Sequence, residues 1–160
     1  MASDRVWLVA DRFEQIKVGL LARGFAIDPG PRDPNEWDEI HLNDPPTGLV
    51  RLKGVRLADL DDDDSDFDPD ITFSVAEYWT TDLVDGAPEE RGFHLAECSY
   101  HGHCHGSNLR WDFDPARHPT EPWHHHPPHQ DGDPRITTAI EPITPEQAMD
   151  DFGTWIAAQP

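Results

Sequence analysis

Apolar positions recur at helical spacing over residues 11–24, DRFEQIKVGLLARG, where Phe13, Ile16 and Leu20 share one face. Asp11 is placed to cap this helix, Glu14 to complete a capping box and Gly24 to stop it. Periodicity then lapses across the proline-rich stretch 28–48, which reads as a long irregular connection around Trp37 and Ile40. Alternating apolar and polar residues follow in GLVRLKGVRL (48–57), ITFSVAEYWT (71–80), FHLAECSYH (93–101) and NLRWDF (108–113). That alternation predicts four strands of an antiparallel meander. The acidic loop 61–70 separates the first two, and a turn over Gly102–Ser107 joins the last two.

Prolines at 115, 119, 122, 127, 128 and 134 predict a His- and Pro-rich loop over 114–134, irregular or running extended along an edge. RITTAIEPI adds at most a short strand. TPEQAMDDFGTWIAA predicts a closing helix, with Thr144 as cap, Pro145 at the first helical position and Gln147 completing the capping box. Ala148, Phe152, Trp155 and Ile156 line its apolar face. The expected architecture is α+β in one domain over 1–160: N-terminal helix, four-stranded antiparallel meander, His-rich loop, C-terminal helix.

Charge changes the picture of the solvent. The chain has 32 acidic against 12 basic residues, a formal charge of -20 and only Lys17 and Lys53 as lysines. Such self-repulsion opposes a compact state in dilute buffer, and it fades in molar salt, where the Debye length is about 3 Å. The expectation is a salt-adapted protein of a high-salt cytoplasm, since six tryptophans and seven phenylalanines argue against a disordered acidic chain. No apolar run is long enough to span a membrane, and the N-terminal MASDRVWLVADRF lacks a basic start and a signal-type core. No membrane partner is expected.

Nine of the ten histidines lie between His94 and His129, together with Cys98 and Cys104. Imidazole binds metals, and it serves as acid or base near neutral pH. Two chemistries are open. In the first, zinc is held by His103, Cys104 or His105 from the HGHCH turn with His124 or His126 from the later loop, although the spacing matches no familiar zinc module. In the second, RNA is cleaved through its own 2′-hydroxyl, which needs a base, an acid and a cation on the phosphate. Arg110, Asp112, His118, His124 and His126 are the residues for it: Arg110 on phosphate, His118 or His124 as base, His126 as acid and Asp112 orienting an imidazole. Trp111 reads either as a base-stacking platform or, more simply, as core, and Arg110 as a salt bridge to Asp112, Asp114 or Glu77. The alternative to an enzyme is a non-catalytic zinc-binding or protein-interaction module.

The string RWDFDPARHPTEPWHHHPP (110–128) resembles the signature of the TumE-type toxin family: an Arg-aromatic-Asp strand end, then His-Pro, then a histidine cluster. VAEYW (75–79) and GFHLAECSYHG resemble the family's preceding strands, so the similarity spans about 48–157. The matching positions are Glu77, Tyr78, Arg110, Trp111, Asp112, His118, His124, His125 and His126, whereas Phe113 stands where the family often has Asn. The resemblance, to a haloarchaeal-like member, implies the toxin of a toxin–antitoxin pair, neutralised by a cognate antitoxin protein. By analogy with ribonuclease toxins of similar layout it also implies RNA as substrate.

Overall fold

The structure, a computed structural model, describes residues 5–6, 9–27, 38–41, 47–57, 67–80, 93–132 and 136–159. Most of the expected loops 28–48 and 61–70 lie outside these residues. The α+β class holds, but the four-stranded meander does not: seven strands follow one another in a single antiparallel sheet. Their order is β2 (Phe25–Ile27), β4 (Thr47–Leu57), β5 (Phe67–Thr80), β6 (Phe93–Cys104), β7 (Ser107–Phe113), β8 (Trp123–Gln130) and β9 (Thr138–Ala139). Two short strands sit off this path, β1 (Arg5–Val6) on β6 and β3 (Asp38–His41) on β4. The expected four correspond to β4–β7. The added strands are mostly two to four residues long, too short to show an alternation, and take their pairing from the edges they meet.

Both helices cover one face. In α1 (Val9–Ala22) Ile16 and Leu20 are fully buried, as the periodicity requires, and Phe13 packs partly against them. The helix begins two residues before Asp11, which therefore lies in the first turn and favours the positive end of the helix dipole rather than capping it. In α2 (Pro145–Ala157) the capping box of Thr144 and Gln147 forms in both directions. Ala148, Met149 and Phe152 are buried, with Trp155 and Ile156 partly so. Arg23 ties the helices together through a two-pronged contact with Asp150, at 2.7 and 3.3 Å.

The core is aromatic. Phe152 lies 5.5 Å from Phe73 and 6.2 Å from Phe25 by ring centroid, and Phe73 lies 6.4 Å from Trp111. Gly102 makes this possible, because a Cβ there would come within 2.3 Å of the Phe152 ring. The glycine that suggested a turn is thus a seat for α2 in the middle of β6. The true turn is confined to His105 and Gly106, both at positive φ (47° and 83°), the two-residue hairpin that matches strand twist. β6 also carries a bulge at Ala96, since Tyr78 pairs with Glu97 but Trp79 with Leu95. Strict alternation would place Phe93 and Leu95 with His101 and His103. The extra residue instead turns Phe93 and Leu95 onto the core face with Cys98, Tyr100 and Cys104.

In the His-rich segment the extended alternative is the one that forms, with 123–130 as strand β8, and the loop reading is corrected for those residues. Pro127 and Pro128 fall at a register shift opposite Leu109 and beyond the end of β9, which pairs only with His124 and His125. Missing N–H groups cost nothing at such a bulge on an edge.

Candidate functional site

The face away from the helices is polar. Cross-strand register sets Ser99, Asp112 and His124 in one row and His101, Arg110 and His126 in the next. His103, Asn108 and His129 form the third row. His129 reaches this face despite an odd spacing from His126, because the bulge at Pro127–Pro128 inserts one extra residue.

At the centre is Asp112, 4 % exposed. Arg110 donates to it twice, Nε to Oδ1 at 2.8 Å and Nη2 to Oδ2 at 2.8 Å. His126 Nε2 lies 3.1 Å and His124 Nε2 3.6 Å from Oδ2. Burial opposes the charge on Asp112, but hydrogen bonds from Arg110 and Ser99 and the charge of Arg110 outweigh it, holding the carboxyl below its ordinary value. For His126 burial prevails over the attraction of Asp112, so its pKa is lowered. Two ring nitrogens here, His124 Nδ1 and His126 Nδ1, are buried without a hydrogen-bond partner.

The connection 114–122 brings in His118. It is closed by Asp114 N–H donating to the Pro122 carbonyl at 2.9 Å and His118 N–H donating to the Asp114 carbonyl at 3.0 Å. Arg117 N–H also donates to Asp114 Oδ1, at 3.1 Å. The exposed His118 ring then packs on His124 with centroids 4.4 Å apart. The structure therefore gathers Arg110, Asp112, His118, His124 and His126 in one place, although they come from two strands and a loop. Of these, Arg110 and His126 also line a polar cavity of about 320 Å³, with His101, Asn108, His129, Gln130, Asp131 and Gly132.

His103, Cys104 and His105 of the HGHCH segment are not part of that cluster. Cys104 is buried on the core face, His105 sits on the hairpin tip 3.8 Å from Asp70, and His103 lies 3.9 Å from Asp131. The zinc set of His103, Cys104 and His105 with His124 or His126 is corrected accordingly, because alternation along β6 sends Cys104 to the opposite side of the sheet. Among the described residues the group that can hold a metal ion is Asp112, His124 and His126, whose ligand atoms lie within 4.8 Å of one another. Cys98 and Cys104 are both buried in the core and outside any disulfide, and burial pushes the Cys98 pKa up.

Two further expectations resolve simply. Trp111 is core, 3 % exposed and stacked on His125 at 5.3 Å, so it offers no face to a base. Arg110 pairs with Asp112, whereas Glu77 is taken by Arg12. His101 and Asn108 are site residues that sequence reasoning passed over; the available signal was their alternation with His103 and Arg110. No described helix is long and apolar enough to cross a membrane. Comparisons of the chain with protein-family models, with curated proteins and with solved structures each find no match.

Proposed function

We propose that the protein cleaves RNA phosphodiesters by imidazole acid–base chemistry, as the toxin of a toxin–antitoxin pair. One observation carries the chemistry: Arg110 and His126, both bonded to the buried Asp112, line a polar cavity that is open to solvent. Asp112 occupies Nε and one side of Nη2 of Arg110, which leaves the remaining guanidinium N–H groups for an anion. A phosphate held there has His126 beside it, and the attraction of Asp112 offsets part of the burial that disfavours the imidazolium an acid requires. His118 and His124 support the cluster but do not line the cavity, so they are poorly placed to take a substrate proton. The toxin assignment, and with it a cognate antitoxin as partner, rests on the likeness of the 110–128 segment to TumE-type toxins.

A charge of -20 repels RNA in ordinary buffer, so the activity belongs to a high-salt medium, where distant charges are screened and the close Arg110 contact persists. The test is an RNA-cleavage assay with untagged protein in potassium chloride at about 3 M, where screening is nearly complete. Cleavage that survives chelator and is lost in His126→Ala and Asp112→Asn supports the reading. Intact RNA after incubation with folded protein overturns it.

A second reading draws on the convergence of Asp112, His124 and His126 within 4.8 Å. Two imidazoles and a carboxylate suit zinc, with a fourth position open toward water or a partner. The two unpartnered Nδ1 atoms argue for the first reading, because a metal-binding imidazole ordinarily anchors its other nitrogen. Near-stoichiometric zinc surviving dialysis, with a fall in melting temperature on chelation, would favour the second.

A further inference from the structure

A chain of three polar side chains crosses the open face next to the Asp112 cluster. Asn108 Nδ2 donates to Asp131 Oδ1 at 2.6 Å, and His101 Nε2 lies 2.8 Å from Asn108 Oδ1. A carboxylate only accepts, so the amide nitrogen faces Asp131 and the amide oxygen faces His101. An amide oxygen also only accepts, so the ring carries its proton on Nε2 and its lone pair on Nδ1. Asn108 is buried in β7, which fixes the relay to the sheet, and its anchor Asp131 lies in the turn after β8. Burial lowers the pKa of His101 despite the Asn108 bond, and the nearby Arg110 charge lowers it further.

The position of the ring matters as much as its tautomer. His101 lines the same cavity as Arg110 and His126. His101 is the cross-strand partner of Arg110 on one side and His126 its partner on the other. Each is one strand spacing from Arg110, about 4.8 Å. Displacement at phosphorus needs a proton acceptor on the attacking side and a donor on the leaving side. A phosphate bound to Arg110 has one imidazole on each flank.

We propose that His101 is the general base of the RNA-cleaving site, taking the 2′-hydroxyl proton on Nδ1 while Asn108 and Asp131 hold its ring. This rests on the ribonuclease reading above, and it replaces His118 and His124 in the base role. As the proton moves to Nδ1, the 2′-oxygen forms its bond to phosphorus. The bond from phosphorus to the 5′-oxygen breaks, its electron pair leaves on that oxygen, and the acid on the His126 side protonates it. The products are a 2′,3′-cyclic phosphate and a 5′-hydroxyl, and His101 returns its proton to solvent.

The experiment uses the full, untagged chain in potassium chloride at about 3 M, a concentration at which charge repulsion is screened. Long-range ¹H–¹⁵N correlation of the histidine rings should show His101 protonated at Nε2 and bare at Nδ1. The reverse tautomer would overturn the proposal without reference to activity. Single-turnover cleavage of RNA should fall by about 10²–10⁴-fold in His101→Ala, the usual contribution of a positioned base. Added imidazole should restore part of it, which a merely structural role would not allow. His101→Gln keeps a donor for Asn108, so it should fold and lose as much activity. Asn108→Leu, which frees the ring, should lower the rate by about 10–100-fold, as loss of an orienting partner does. Undiminished cleavage by His101→Gln would sink the base role and leave the ribonuclease reading standing. Intact RNA with the wild-type chain would sink both.

Discussion

Two carboxylates are buried in the same sheet on opposite faces, and each faces an arginine, yet their surroundings differ in kind. Glu77, fully buried on the core face of β5, accepts from Arg12 Nε at 2.8 Å and Nη2 at 2.7 Å. It also accepts from Trp79 Nε1 at 3.0 Å and Tyr100 Oη at 2.8 Å. Arg12 comes from α1, so this network joins helix to sheet across the core. Every bond that Glu77 needs is made, and no cavity reaches it among the described pockets. Asp112 takes its arginine from its own strand and shares its second oxygen with imidazoles, and its partners Arg110 and His126 line an open cavity. Around it His124 and His126 keep unpartnered ring nitrogens. A completed network stabilises one structure, whereas an incomplete one costs stability and leaves groups free for chemistry.

The contrast can be broken most forcefully at its arginines. Arg12→Ala leaves the Glu77 charge uncompensated in the core and should cost about 3–5 kcal/mol in denaturant unfolding. Arg110→Ala should cost less stability, since His126 and solvent remain at Asp112, but should lower RNA cleavage by about 10²–10³-fold, as loss of a transition-state donor does. Equal stability losses with unchanged cleavage would erase the difference between the two sites.

Next in size is the core seat itself. Gly102→Ala puts a methyl group into the Phe152 ring and should destabilise by about 1–3 kcal/mol, the range for overpacking. Thermal melting checks this, and because Gly102 faces the helices the tautomer of His101 on the other face should not change.

The titration of the histidines sharpens the comparison further. His101, His125 and His126 all have pKa values lowered from the ordinary 6.5, in each case chiefly by burial. The folded state then binds fewer protons than the unfolded one below pH 6.5, so stability is complete above that value and falls as the pH drops through it toward the folded values. The lowered Asp112 carboxyl adds a second loss only further down, below its ordinary 3.8. Melting temperature measured against pH at constant high salt should therefore decline in two stages. His125→Phe should soften the first stage at little cost, because it keeps the ring on Trp111 and removes a buried nitrogen, Nε2, that has no partner. An unchanged profile would show that His125 takes no part in it.

Smallest is the cap of α2. Thr144→Ala removes one half of the capping box and should cost about 1 kcal/mol, with cleavage unaffected.

Local signals in the chain were enough for α2, whose cap, first-turn proline and apolar face are all written within a dozen residues. They were enough for β4, β5 and β7 and for the apolar face of α1 as well, because period and burial agree there. The clustering of histidines and the five residues Arg110, Asp112, His118, His124 and His126 could be named from their types and nearness alone. What the chain by itself could not express is pairing. A two-proline segment has no strand signature, and it becomes β8 only because β7 offers an edge and a bulge absorbs the mismatch. The same holds for Gly102, whose role depends on a phenylalanine fifty residues later, and for the turn of Phe93 onto the core by the bulge at Ala96. His101 follows the same logic: its tautomer is set by Asn108 and Asp131, and its place beside Arg110 by register. Period and composition act along the chain and can be read there. Register, bulges and hydrogen-bond direction are set between strands, and only the folded sheet decides them.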